Sequence, residues 1–221
     1  MKTLITDSIV FHGGISPVIV PKCDYSRDNC DFGQGFYCTR FEPQAKDWAF
    51  RKIQNDIREP YYTVNQYKFR NDIQLATLEF DSPTAEWFDV VIRGRNKGYI
   101  SADIIVGPVA DSNIRELVDA TTYKIEHLMS QCSTPAEYRK RKKDILEEAA
   151  LKAVPGKYKT YEQAAFLTPN AIDQLDFMGA RVYDRNHAFK FWYDKDGIQY
   201  RVIPGVAMTS STYTNDDTRG R

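Results

Sequence analysis

The spacing of apolar residues changes several times along the chain, and each spacing predicts a type of element. Short runs of β-branched and aromatic residues predict strands at 8–12, 36–39, 61–80 with a turn near 70–72, and 102–106. Apolar residues three and four apart predict helices that start at Glu42, Ser82, Asp111 or Ser112, and Thr134, with a shorter one at Asn170–Phe177. Strands and helices alternate too irregularly for a doubly wound sheet, so the pattern predicts a mixed α+β fold.

The C-terminal part has a pattern of its own. Phe189–Tyr193 and Gln199–Ile203 flank the sequence Asp194-Lys195-Asp196-Gly197, which predicts a hairpin with a short turn. From Thr209 onward the residues are small and polar, which predicts a frayed tail.

Composition limits the class of protein. The 221 residues are 42% hydrophobic and carry 30 basic against 30 acidic side chains, which is typical of a globular protein. The longest aliphatic run, Ile104–Val106, is far too short for a membrane span, and Asp7 interrupts any signal peptide. We therefore expect a cytoplasmic protein that starts at Met1. The four cysteines and three histidines are scattered, which predicts reduced thiols and no metal site.

Three short motifs are candidates for a functional site: FHGG at 11–14, DFGQGFYCT at 31–39 and DIIVGPVA at 103–110. Each alone has a structural explanation. His12 could lie at the edge of a core, the glycines at 33 and 35 could form a tight turn, and Asp103 could be an ordinary loop carboxylate. The glycines do not form a nucleotide-binding fingerprint, because no third glycine and no helix follow them.

Together and in this order, the motifs resemble a bacterial family of unassigned function that is grouped with the ADP-ribosyltransferases. The resemblance runs from about Val10 to Phe177 and includes the segment QAAFLTPNAIDQLDFMG. It implies an ADP-ribosyltransferase-like split antiparallel β-sheet core with flanking helices, which binds NAD in a cleft between two sheets. We expect one domain over 1–205, with a hairpin extension at 185–205 and a flexible tail at 206–221.

The resemblance also implies roles for individual residues. His12 would bond the nicotinamide-side ribose, and the backbone of Gly13 would hold the carboxamide, since glycine lets a ligand approach closely. Tyr37 would stack on nicotinamide, with Gly35 and Phe36 beside it in the NAD-binding segment. Strand alternation allows only one of Phe36 and Tyr37 to face the cleft, and Tyr37 is favoured because its hydroxyl can reach water or ribose.

The third position of the family signature is a glutamate on a late strand, and this sequence departs from it. The chemistry needs a carboxylate that stabilises the cation left when nicotinamide departs. Asp103 is the acid placed to enter the late apolar strand, and Glu86 and Asp111 are the alternatives. Arg27 could bind the pyrophosphate of NAD, and Arg95 with Asn96 could line the acceptor side.

The resemblance thus predicts an NAD-dependent mono-ADP-ribosyltransferase that modifies an intracellular protein or nucleic acid, as the toxin of a toxin–antitoxin or phage-defence system, with an antitoxin as a possible partner. An inactive binding module with the same fold and an NAD glycohydrolase are the alternatives. The basic run Arg139–Lys143 spans more than one helical turn and predicts a solvated helix start rather than a single binding face. NAD serves as the ADP-ribose donor, and no membrane or metal is expected.

Overall fold

A computed structural model describes residues 7–54, 56–110, 114–154, 156 and 160–202. These residues divide into two compact units that interleave along the chain. The first contains Lys22–Tyr37 and Ile73–Asp173; the second contains Cys38–Asp72 with the described residues up to Pro21 and from Gln174 onward. The strands are β1 Ser8–Gly14, β2 Phe36–Cys38, β3 Tyr61–Phe69, β4 Thr77–Glu79, β5 Ile104–Pro108, β6 Glu162–Phe166, β7 Leu175–Asp184, β8 Phe189–Tyr193 and β9 Gln199–Arg201. The helices are α1 Glu42–Gln54, α2 Ala85–Arg95, α3 Arg115–Leu128, α4 Pro135–Ala153 and the single turn α5 Pro169–Ile172.

The second unit is built on a five-stranded sheet in the order β1-β3-β7-β8-β9. All of its pairings are antiparallel, and His12 of β1 lies opposite Asn65 of β3. Helix α1 packs on one face of this sheet through Ala45, Ala49 and Ile53, the apolar residues of one helical stripe. Strand β1 is therefore an edge strand whose side chains alternate between the helix and the opposite face.

The segment that follows β1, Ile15–Pro21, crosses the sheet face opposite α1, and we call it the strap. It is held by two buried side chains of β3. Asn65 Oδ1 accepts a hydrogen bond from Val18 N at 2.8 Å, and the Tyr67 hydroxyl donates to the carbonyl of the same residue. Asn65 Nδ2 also donates to the carbonyls of His12 and Ser16, each at 3.3 Å. Side chains of β3 thus give Val18 the pairing that a neighbouring strand would give.

The first unit contains a four-stranded sheet in the order β2-β6-β5-β4. Strand β5 pairs antiparallel with β6 and parallel with β4. Helices α2, α3 and α4 pack together with these strands around one core, whose largest members are Trp87, Phe88 and Phe32. Thr84 caps α2 and Thr134 caps α4, each by accepting a hydrogen bond from the backbone N–H three residues later.

Most predicted elements are confirmed, and the exceptions have physical causes. The helix predicted at Asn170–Phe177 is wrong beyond Ile172, because Leu175 begins β7 by pairing with Phe69 of β3. Strand β6 was not predicted, since two alanines give it weak β-propensity. The apolar spacing of Ala45, Ile53 and Ile57 also predicts that the first helix reaches Ile57, but α1 ends at Gln54 and Ile57 is 89% exposed. The predicted caps Asp111 and Ser112, residue Ile203 and the tail from Thr209 lie outside the described residues.

The mixed α+β class predicted from the sequence is confirmed. The single domain over 1–205 with its 206–221 tail stays a prediction. Across the described part of the chain, no helix combines the length and the apolar character that crossing a bilayer requires. Within the same residues, no group of three or more His, Cys, Asp or Glu side chains is placed to hold a metal ion.

Candidate active site

The outer edge of β1 carries the FHGG motif of the second unit. The backbone N–H and C=O of Phe11 both bond to Thr39, at 2.7 and 2.9 Å, and so point away from β3. Groups two residues apart on a strand point to the same side, so the N–H and C=O of Gly13 lie on this outer edge as well. The Gly13 carbonyl accepts a hydrogen bond from Lys52 Nζ of α1 at 2.8 Å. Gly13 therefore presents a donor and an acceptor side by side.

The side chain of His12 points to the face of the sheet opposite Gly13 and is 6% exposed. A Cβ added to Gly14 would lie 3.5 Å from both His12 Nε2 and the carbonyl oxygen of Ser16. The imidazole is therefore enclosed next to the start of the strap. Because Asn65 bonds both the His12 carbonyl and the strap, one buried amide fixes strand and strap together.

Packing against α1 requires glycine at position 13. A Cβ at this position would lie 2.1 Å from the carbonyl oxygen of Ala45 and 2.9 Å from the N of Ala49, both in the backbone of α1. The absence of a side chain at Gly13 therefore has a structural reason, and its role in letting a ligand approach stays a prediction.

We expect Gly13→Ala to lower the free energy of unfolding by about 3 kcal/mol, because the added methyl group forces α1 away from β1. Urea denaturation followed by circular dichroism measures the change. Gly14→Ala is the control, since its nearest non-neighbouring heavy atoms would be at 3.5 Å, an ordinary contact distance. Equal losses in the two variants would contradict the packing explanation.

Strand β2 places Phe36 and Tyr37 on opposite faces, as alternation requires. Phe36 is fully buried, whereas Tyr37 is partly exposed and packs against the core of the first unit. The Tyr37 hydroxyl bonds its own loop: it donates to the carbonyl of Gly33 at 2.7 Å and accepts from Phe32 N at 3.0 Å. That this hydroxyl reaches water or ribose stays a prediction. Burial, and then the neighbouring Cys30 and Asp31, raise the pKa of Tyr37 well above its ordinary value.

Asp31 begins the DFGQGFY motif and is a buried carboxylate that accepts four hydrogen bonds. Arg95 at the end of α2 donates from Nε at 2.9 Å and from Nη2 to Oδ1. Ala110 N, just after β5, donates to Oδ2 at 3.0 Å, and Gln163 Nε2 on β6 donates to the same oxygen at 2.7 Å. Three elements of the first unit therefore converge on one side chain. Sequence reasoning missed this role of Asp31 and Gln163, because strand β6 was not predicted.

The remaining residues of the NAD-binding prediction lie in the same loop. A Cβ at Gly35 would lie 2.8 Å from Leu167 Cδ2 and 2.9 Å from the carbonyl oxygen of Phe166, so this glycine lets the loop pack on β6. Gly35 also exchanges hydrogen bonds with Ser26. Arg27, next to Ser26, is exposed.

Asp103 lies directly before β5, and both of its carboxylate oxygens are engaged. Oδ2 accepts from Ala76 N at 2.8 Å, and Oδ1 accepts from the hydroxyl of Thr168, the cap of α5, at 2.6 Å. Asp103 is half-buried and ties the approach to β4 to the end of β6. Each oxygen retains a further lone pair that could accept another bond.

The other acids considered from sequence have different environments. Glu86 is exposed in the first turn of α2, where its own backbone N–H and the Thr84 hydroxyl lower its pKa. Asp111 lies outside the described residues. Glu162, at the start of β6, is a buried acid that the sequence prediction overlooked. Of the pair predicted on the acceptor side, Arg95 is bound to Asp31 and Asn96 is the exposed C-cap of α2.

His12 and Gly13 thus belong to the second unit, whereas Tyr37, Asp103, Arg27, Gly35 and Phe36 belong to the first. Comparisons with curated proteins and with solved structures find no match. A family model described as a protein of unknown function, DUF3990, matches residues 8–177. That description assigns no activity, so the resemblance to ADP-ribosyltransferases stays a prediction. Since the match covers most of the 221 residues, the chain belongs to the DUF3990 family.

Proposed function

We propose that the chain is an NAD-dependent mono-ADP-ribosyltransferase that modifies a protein or a nucleic acid. In this reaction the bond between the ribose C1′ and the nicotinamide nitrogen breaks, and nicotinamide leaves with the bonding electrons. A nucleophilic atom of the acceptor bonds to C1′ and loses a proton. NAD supplies the ADP-ribose group.

The observation that carries the proposal is the outer edge of β1. A primary carboxamide has one acceptor and one donor group side by side, and Gly13 offers the complementary N–H and C=O. Nicotinamide could therefore pair with Gly13 as the backbone of Thr39 pairs with Phe11. Lys52, whose ammonium donates to the Gly13 carbonyl, is exposed and has a flexible four-carbon stem. The ammonium can therefore move away and leave the carbonyl available to nicotinamide.

The architecture of the two units is compatible with the proposal. Each unit has its own sheet, the pairings are antiparallel except that of β4 with β5, and helices flank the strands. A split antiparallel core of the ADP-ribosyltransferase type is the finer description that we propose. In that description His12 binds the ribose and the ring of Tyr37 stacks on nicotinamide.

Asp103 is the proposed acid, and its contacts define what it must do. Ala76 N and the Thr168 hydroxyl hold the carboxylate in one orientation. The carboxylate therefore does not have to reorient when positive charge develops on the ribose. The same contacts favour the alternative of an inactive binding module, in which Asp103 serves only to join β4, β5 and α5.

Nicotinamide release from NAD separates these functions. We expect His12→Ala and Asp103→Asn each to lower kcat/KM by about a hundredfold, because each removes a group that acts on the reacting ribose. Glu86→Gln is the matched control, since Glu86 is an exposed acid of the same unit as Asp103 and should retain full activity. Purified protein is incubated with NAD and cell extract, and free nicotinamide is measured by chromatography.

Each outcome has a clear meaning. No release by the wild type in the presence of extract would contradict the enzyme proposal and favour the binding module. Release without any ADP-ribose adduct on protein, RNA or DNA would indicate an NAD glycohydrolase. Mass spectrometry of protein and nucleic acid from expressing cells identifies the acceptor.

The biological setting that we propose is an intracellular toxin restrained by an antitoxin protein. A basic surface for an acceptor is limited in extent, because two side chains of the run Arg139–Lys143 are bonded to other residues of the first unit. Lys142 pairs with Asp89 at 2.9 Å, and Arg141 bonds the carbonyl and the side chain of Gln131. Growth arrest on expression, lost in His12→Ala, is the result expected of a toxin.

A further inference from the structure

The loop before β2 is built around the hydroxyl of Tyr37. Gly33 has a φ of +82°, a conformation that suits glycine. Its carbonyl accepts a hydrogen bond from the Tyr37 hydroxyl, and the N–H of Phe32 donates one to the oxygen of that hydroxyl. The hydroxyl therefore has a donor and an acceptor fixed by the backbone of residues 32 and 33. Any movement of this loop moves the ring of Tyr37.

The same loop is anchored at its start by Asp31. The carboxylate accepts hydrogen bonds from Arg95, Ala110 N and Gln163, which belong to α2, the segment after β5, and β6. Its side chain is 5% exposed, two of its four bonds come from a guanidinium and one from the backbone, so the anchor is rigid. Each carboxylate oxygen already accepts two hydrogen bonds, so Asp31 has no lone pair left for a substrate.

The loop packs closely on helix α2 because Gly94 has no side chain. A Cβ at this position would lie 2.4 Å from the carbonyl oxygen of Asp31 and 2.5 Å from Gly33 N. The loop backbone therefore touches the helix backbone next to Arg95. Helix, anchor and hydroxyl form one continuous chain of contacts.

We infer that Asp31 is a positioning residue for Tyr37: its carboxylate fixes residues 31–33, and these residues fix the tyrosine ring. The inference has two parts. The first, that Asp31 holds the ring, stands on the contacts of the first unit alone. The second, that the held ring serves NAD binding, rests on the proposed function.

The test compares Asp31→Asn with Asp89→Asn. Asp89 is the matched control because it lies on α2 of the same unit and is also a partly buried carboxylate with two basic partners, Lys142 and Arg93. Within the described residues, Asp89 forms its ion pairs away from residues 31–37, so its replacement should not affect Tyr37. Gln163→Met, which removes a single donor to Asp31, is a milder second variant in case Asp31→Asn fails to fold.

The first readout is the ¹³C ring signal of Tyr37 in protein with labelled tyrosine, assigned by its loss in Tyr37→Phe. We expect Asp31→Asn and Gln163→Met to shift this signal. Gln163→Met, which keeps the Asp31 charge that itself raises the pKa of Tyr37, should also bring the titration to lower pH, because burial is the main cause of the raised pKa and a loosened loop admits water. Asp89→Asn should leave it unchanged. An unchanged signal in folded Asp31→Asn, or in folded Gln163→Met if the first variant does not fold, would overturn the inference.

The second readout is the Kd for NAD, measured by calorimetry. We expect Asp31→Asn to raise it roughly tenfold, the scale of one lost aromatic contact, and Asp89→Asn to leave it within twofold. A shifted ring signal with an unchanged Kd would overturn the second part of the inference. If the wild type does not bind NAD at all, the proposed function is wrong, and the ring signal alone decides whether Asp31 positions Tyr37.

Discussion

Replacing Arg95 by methionine should lower the free energy of unfolding by about 4 kcal/mol, because it leaves the buried carboxylate of Asp31 without its guanidinium partner. The side chains of the pair are 16% and 5% exposed, so water cannot replace the lost bonds. The methionine side chain keeps most of the apolar volume, and the loss therefore reports on charge rather than on a cavity. Urea denaturation followed by tryptophan fluorescence gives the value.

Arg93→Met is the control for this prediction. Arg93 lies two residues earlier on α2 and pairs with Asp89, but its side chain is 56% exposed and Asp89 retains Lys142. We expect a change of less than about 0.5 kcal/mol, as for other exposed ion pairs. Similar losses in the two variants would show that the network around Asp31 contributes no more than a surface pair.

Replacing Asn65 by leucine should lower the free energy of unfolding by about 3 kcal/mol, since three hydrogen bonds to the backbone are lost at about 1 kcal/mol each. The partners left behind are Val18 N and the carbonyls of His12 and Ser16. Leucine has a similar shape, so packing changes little. Hydrogen exchange of the Val18 amide should accelerate together with the loss, because Asn65 holds the strap at this amide.

Thr63→Val is the matched control for Asn65→Leu. Thr63 lies two residues away on β3, faces the same side and is 1% exposed. Among the residues that the structure describes, its hydroxyl has no hydrogen-bond partner. Its removal should therefore be neutral or slightly stabilising, and the strap should exchange as in the wild type. A comparable loss in both variants would mean that any change on this face, rather than the amide of Asn65, releases the strap.

How far the sequence predicts the fold depends on whether the deciding contacts are local. The start of helix α4 could be predicted to the residue, because the cap Thr134, Pro135 and the apolar spacing are all local to this helix. Strand β7 could not, because Leu175–Phe177 carries a helix-like pattern and becomes a strand only by pairing with β3. The pairing partner lies more than a hundred residues earlier, and no local pattern records it.

The candidate site shows the same division. The sequence pointed to the loop 31–39 and to His12 and Gly13 through motifs, and to the alternation of Phe36 and Tyr37 through strand geometry. It did not show that Gly13 is required by the backbone of α1, or that the Tyr37 hydroxyl bonds its own loop. These facts depend on distances between elements, which residue types alone do not determine.

The pairing of β3 with β7 also bears on how the chain folds. Arg70 N bonds the carbonyl of Gln174 at 2.9 Å, and Asp72 N bonds the side-chain oxygen of the same residue at 2.7 Å, so the long segment Ile73–Asp173 leaves and re-enters the second unit at one place. Closing so long a loop lowers the conformational entropy of the chain before the contacts between β3 and β7 form and stabilise the sheet. High sequence separation of contacts slows folding, so the five-stranded sheet should form late, after the local hairpin β8–β9 and the helices. A nascent chain would leave one edge of β3 without its partner strand until β7 has been synthesised.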